Sequence, residues 1–172
     1  MLFTQGVRIT NEPVDDSAWM ASSPDPVFRP ATSEDVAALL VMMEALYAND
    51  GHSFDAATAE RATRSLLDSP AWGHVWLIQR EGNAAGYVVL TFGFSLEFGG
   101  RDALLDELFI LEPYRSQGLG RQALQFVFDY CRRENIRALH LEVLLGNDTA
   151  AAIYSRFGFE RDTRQLMTKW LD

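Results

Sequence analysis

From Val36 to Ala48 apolar side chains recur three or four positions apart: Val36, Leu39, Leu40, Met43 and Leu46 or Tyr47. That spacing predicts an amphipathic helix. Thr32-Ser33-Glu34-Asp35 precedes it, with hydroxyls able to cap and acids in the first turn, and Asn49-Asp50-Gly51 ends it. A second helix is predicted from Asp55 to Leu67, with Ala59, Ala62, Leu66 and Leu67 inward, stopped by Ser69-Pro70. The period then shortens. Val27–Pro30, His74–Arg80, Ala85–Phe94 and Ala103–Leu111 read as strands, the second and third joined by a hairpin turn at Glu81-Gly82-Asn83-Ala84. Gly86-Tyr87-Val88-Val89-Leu90 is apolar throughout, as a strand covered on both faces should be. A helix follows from Leu119 to about Glu134, with Leu124, Val127, Phe128 and Cys131 on one face. Arg137–Leu144 is the next predicted strand, Asn147 opens a short helix, and Gln165–Leu171 is the last predicted strand. Residues 1–26 are turn-rich and without period, so they read as an arm before a single α/β domain over residues 27–172.

Composition narrows the function. A chain of 172 residues, 48% apolar and 23% charged, suits one soluble globular domain. A net charge of −9 argues against nucleic acid as partner. Solubility alone accounts for this charge, which also fits attraction of a cationic substrate. Cys131 is the single cysteine, so an intrachain disulfide and a cysteine-rich zinc site are excluded, and its place on an apolar helix face marks a core thiol. The three histidines show no metal spacing, and no metal is expected. No stretch approaches 18 continuous apolar residues and the start lacks a secretory pattern, so the expectation is a cytoplasmic protein without a membrane role.

The candidate chemistry lies around the fourth predicted strand. Leu105 to Gly120 runs from an apolar segment carrying Asp106 and Glu107, through Pro113, into Arg115-Ser116-Gln117-Gly118-Leu119-Gly120 and a helix. Glycines there let backbone N–H groups approach a ligand, and the helix start adds partial positive charge, an arrangement suited to phosphate. Gly118-Leu119-Gly120-Arg121-Gln122-Ala123 also outlines a dinucleotide fingerprint, with Glu142 about 20 residues on. Against that stand the six residues Glu112–Gln117 between strand and glycines, and too little following chain for further βαβ units.

Arg115 to Gly120 fits Arg/Gln-x-x-Gly-x-Gly, and Asn147, Ala150, Tyr154, Gly158 and Phe159 fit Asn-x-x-Ala-x-x-x-Tyr-x-x-x-Gly-Phe. Together these resemble the two cofactor segments of the GCN5-related N-acetyltransferase (GNAT) family, over roughly Val27 to Leu171. The resemblance implies the acyl-CoA N-acyltransferase fold: a mixed central sheet with helices on both faces, splayed between strands 103–111 and 137–144. It implies acetyl-CoA as co-substrate. Amides around Gln117 to Arg121, with Arg115 and Ser116, would hold the diphosphate, and Leu108, Phe109 and Ile110 would meet the pantetheine arm. Asn147, a natural N-cap, would also contact the cofactor, and Tyr154 would protonate the departing thiolate. Read without the family, Tyr154 is a core aromatic whose hydroxyl finds a partner.

Asp106 and Glu107 interrupt an apolar strand, where an unpaired charge is costly. Adjacent strand positions point to opposite faces, so the two are expected to do different jobs. The segment resembles diamine and polyamine acetyltransferases, which implies Asp106 as base and Glu107 as a contact to the amine; an ion pair with Arg101, Arg115 or Arg137 is the other reading. Asp50 and His52 lie in the loop that in this family borders the acceptor. The resulting expectation is direct transfer of an acetyl group to a primary amine of a small cationic acceptor. A protein or peptide amine, or a non-catalytic acyl-CoA sensor, are the alternatives. The resemblance is also compatible with a homodimer.

Overall fold

The computed structural model describes residues 26–171, so the arm expected over residues 1–26 lies, apart from Pro26, outside the described residues. The described residues fall into two compact units, 26–142 and 143–171, each taken by itself.

The larger unit is a sheet of five strands in the order β1 (Val27–Pro30), β2 (Gly73–Arg80), β3 (Asn83–Ser95), β4 (Gly100–Ile110) and β5 (Ala138–Leu141). The first four are antiparallel, with short links between β2 and β3 and between β3 and β4, and β5 joins β4 in parallel. The crossover between β4 and β5 is the helix α3 (Leu119–Arg133). Before β2 come α1 (Val36–Asn49) and α2 (Ala56–Asp68).

The helices divide between the faces. Leu39, Met42 and Met43 of α1 pack with Val75, Leu77, Tyr87, Val89 and Phe109, and Leu66 and Leu67 of α2 close the same core. The opposite face carries α3. There Phe126 stacks on Phe28 at 4.3 Å, and Tyr130 meets Trp76 at 4.9 Å between ring centres. Cys131 is fully buried in α3, with its thiol pushed up to about 11 by burial, an inert core residue.

Local chemistry sets the element ends. Asp35 accepts from the Thr32 amide at 2.7 Å and from Arg29 through both guanidinium arms at 2.9 and 2.7 Å. Asp55 caps α2 by accepting from the Ala57 and Thr58 amides. Gly86 is required where β3 and β4 pair, because a Cβ there would lie 2.2 Å from the Phe109 carbonyl oxygen.

In the smaller unit Asn147 caps α4 (Asp148–Arg156) by accepting from the Ala150 amide at 3.0 Å. Phe159 then returns its ring edge to Tyr154 at 5.8 Å. The strand expected at Gln165–Leu171 does not form: no described residue there is in a strand. Leu166, Met167, Trp170 and Leu171 are 76–89% exposed. In strand alternation that segment would place Leu166 and Trp170 on one face and Met167 and Leu171 on the other, so it needs cover on both sides, and local pattern alone cannot provide it. β5 is also shorter than the expected 137–144.

Candidate active site

The site begins with a defect in β4. Leu105 opposes Leu90 and Glu107 opposes Val89, so Asp106 has no partner across the ladder. This is a β-bulge, one extra residue on one strand. It corrects the expectation that the two acids face apart. Glu107 shares a face with Val89 and Tyr87, on the side of α1. Leu105, before the bulge, shares the other face with Leu90. Alternation from Leu105 therefore turns Asp106 toward α1, and the bulge keeps Glu107 there too.

Glu107 is half-buried and held by tyrosines, not by arginine. The buried Tyr87 hydroxyl donates to Glu107 Oε2 at 2.7 Å, and Tyr47 of α1 approaches the same carboxylate more loosely. Burial raises the Glu107 carboxyl; the tyrosine hydrogen bonds oppose this and the Asp106 charge adds to it. Asp106 is exposed by area, yet flanking protein raises its carboxyl, and the charge of Glu142 raises it further. Both tyrosines are raised, first by burial and then by Glu107, and remain neutral donors. No arginine pairs with Asp106 or Glu107 among the described residues. Arg115 donates to the Ile110 carbonyl at 2.9 Å and lies over the Phe109 ring, while Arg101 lies 4.5 Å over Phe92.

Beyond the bulge the sheet opens. β4 and β5 pair only from Asp102–Ala138 to Leu105–Leu141, so among the described residues Asp106–Ile110 has no strand on that side. The Leu111 amide donates to Ala85 of β3 at 2.9 Å. By alternation the main chain of Phe109 also faces β3, and that of Leu108 and Ile110 faces the open edge. Of the three residues expected at a pantetheine arm, Leu108 and Ile110 thus present backbone groups, and Phe109 is a buried ring.

A 3-10 turn at Glu112–Tyr114 leads from β4 to α3. Ser116 and Gly118 stand at φ +59 and +80, which curl the chain into the helix; the second needs glycine most. Leu119 is buried and anchors the entry. The first helical bond runs from the Gln122 amide to the Gly118 carbonyl, leaving the amides of Leu119, Gly120 and Arg121 ahead of it. A Cβ on Gly120 would meet nothing within 4 Å, and the first turn carries no acid. Among the described residues the start of α3 carries no acid in its own first turn, an arrangement that suits an anion. The dinucleotide outline fails here, since the glycines follow a 3-10 turn and the sheet is mostly an antiparallel meander.

Asp50 ends α1 and His52 follows it, both exposed, and neither hydrogen-bonds to the strand acids. Asp102 Oδ2 lies 3.5 Å from His140 Nε2, bridging β4 and β5 four residues before Asp106. In the smaller unit, Tyr154 is half-buried and its phenol is raised by burial, so it holds its proton at neutral pH. Among the described residues no group of three histidine, cysteine or carboxylate side chains could hold a metal, and no helix is long and apolar enough to cross a membrane. A shallow depression of about 430 Å³ lined by His74, Phe92, Arg101 and Tyr130 lies on the α3 face, away from the acids. Sequence reasoning missed Tyr47 and Tyr87 as partners of Glu107. Both carry the same apolar signal as core, and only their hydroxyls, aimed at Glu107, set them apart.

A mixed sheet that parts at the bulge, beside the start of α3, is the α/β architecture that the resemblance to acyl-CoA N-acyltransferases implies. The pattern that defines the "Acetyltransferase (GNAT) family" matches residues 40–159, and the chain belongs to that family. A Bacillus subtilis (strain 168) protein, provisionally named for N-acetylating an alanine of ribosomal protein bS18, is 28% identical over 103 residues. That match covers 60% of this chain and 64% of the relative, so the chain spans under two thirds of the relative's length. The crystal structure of an integron cassette protein from the mobile metagenome of Cole Harbour Salt Marsh shares 36% identity, over 84% of this chain and 90% of that one, at a TM-score of 0.73. Aminoglycoside N-acetyltransferase AAC(6')-Iy in complex with CoA has the same fold, at 13% identity and a TM-score of 0.71, over 88% of this chain and 97% of that one.

Proposed function

We propose that the protein transfers an acetyl group from acetyl-CoA to the primary amine of a small cationic acceptor, in a ternary complex. The observation that carries this reading is the bulge at Asp106, which turns two carboxylates of raised pKa to one face beside the open edge of β4. The amides of Gln117 to Arg121, with Arg115 and Ser116, bind the diphosphate. The outward main chain of Leu108 and Ile110 receives the pantetheine arm. Asp50 and His52 border the acceptor, and Asn147 contacts the cofactor.

The ammonium of the acceptor gives one proton to Asp106, whose raised carboxyl is better matched to that task than an ordinary aspartate. Glu107, fixed by Tyr87 and Tyr47, holds the cation in place. The free amine attacks the thioester carbonyl; the C–N bond forms and the C–S bond breaks. The departing thiolate takes the proton of Tyr154, and the nitrogen's second proton restores the phenol as the amide forms. Orientation within the complex supplies much of the rate, and backbone N–H groups stabilise the oxyanion.

Turnover at saturating acetyl-CoA tests the assignment. Asp106→Asn and Tyr154→Phe are each expected to lower kcat by roughly 10²–10⁴, the range of a general acid or base. Rates equal to wild type in both variants would remove these residues from the chemistry. A second reading, a peptide α-amine as acceptor, is favoured by the name of the Bacillus subtilis relative.

A further inference from the structure

Arg80 ends β2 and is only 9% exposed, which is unusual for arginine. Its Nη1 donates to Gln117 Oε1 at 2.9 Å, and this is its one hydrogen bond among the described residues. No carboxylate lies within ion-pair distance of it among the same residues. A guanidinium has five N–H donors, and a nearly buried cation without a counter-charge is costly. Gln117 in turn donates from Nε2 to the Pro113 carbonyl at 2.8 Å. One side chain thus ties the end of β2 to the turn that delivers Gly118 and the open amides of α3.

We propose that Arg80 is a positioning residue for the coenzyme's diphosphate: it fixes the turn through Gln117 and sets an uncompensated positive charge beside the start of α3. The proposal rests on the coenzyme reading above and adds to it a residue outside both cofactor segments. An incoming diphosphate supplies the missing counter-charge, so Arg80 favours ligands that carry one over those that do not.

The test compares two ligands on each protein: dephospho-CoA, which has the diphosphate, and pantetheine, which lacks it. The readout is the ratio of their dissociation constants, which a change in the folded fraction does not move because both ligands see the same sample. In Arg80→Met the preference for dephospho-CoA is expected to fall roughly tenfold or more, with pantetheine affinity within about twofold of wild type, the size of one lost charge-assisted contact. Arg80→Lys, which keeps the charge, should retain the preference to within about threefold. Should the methionine variant fail to fold, Arg80→Gln drops the charge while keeping a donor, and the same fall is expected. An unchanged ratio in the neutral variants overturns the proposal, as does an equal fall for both ligands. Wild-type protein that binds neither ligand overturns the coenzyme reading itself, and the role of Arg80 with it.

Discussion

Asp106 and Glu107 share a face through the one residue that β4 carries in excess of β3. Burial makes each carboxyl harder to ionise; the charge of Asp106 adds to this at Glu107, and the charge of Glu142 adds to it at Asp106. If Asp106 is the base, activity rises with pH as it loses its proton, and its raised pKa moves that rise above the ordinary carboxylate range. Glu142→Gln removes a charge that raises Asp106, so the rise should shift to lower pH. The measurement is the pH dependence of kcat with one fixed acceptor, so that the acceptor's own ionisation is common to both proteins. A rise that stays in place would separate Glu142 from the base. The two acids were legible in the sequence as interruptions of an apolar strand. Their common orientation was not, because counting by twos assumes a regular strand and a bulge exists only against the register of its neighbour. Tyr87 and Tyr47 were hidden for a related reason: a core tyrosine and a tyrosine holding a carboxylate look alike until the carboxylate is located.

At the scale of elements, helices with chemical end-signals were read well. Asp55 and Asn147 cap the helices that their positions suggest, and Gly118 stands at φ +80 where α3 begins. The entry to α1 is tied by Asp35, whose carboxyl the Arg29 guanidinium and then the Thr32 groups hold down at about 2, against an ordinary 3.8. A carboxyl depressed on folding stabilises the fold above its unfolded pKa, and that stabilisation is lost as pH falls through the folded value. Asp35→Ala should therefore cost about 1 kcal/mol near neutral pH, the usual size of a lost cap. The gap from wild type should close between about pH 4 and pH 2. Denaturant midpoints at unchanged slope give the comparison; a gap that stays constant down to pH 2 would place the effect elsewhere. The strand expected at Gln165–Leu171 shows the opposite case, since a strand is defined by its partner and its own residues do not carry one. The shortened β5 follows the same logic: its residues pair with β4 only as far as Leu105, where the bulge begins.

For the whole molecule, the family and the fold were legible because two spaced motifs and the order of elements agree, and the match over residues 40–159 bears this out. The acceptor is the step that spacing does not encode, since it depends on which side chains share the space beside β4. The acids Asp106, Glu107 and Glu142, with an overall charge of −9, favour a cation there. Release of free CoA thiol from acetyl-CoA, measured at steady state across a panel of small polyamines, an aminoglycoside and an alanine-terminated peptide, tests this most directly. The account predicts turnover with the small cationic amines and little with the peptide. Turnover with the peptide alone, or binding of acetyl-CoA with no thiol released to any amine, would contradict it.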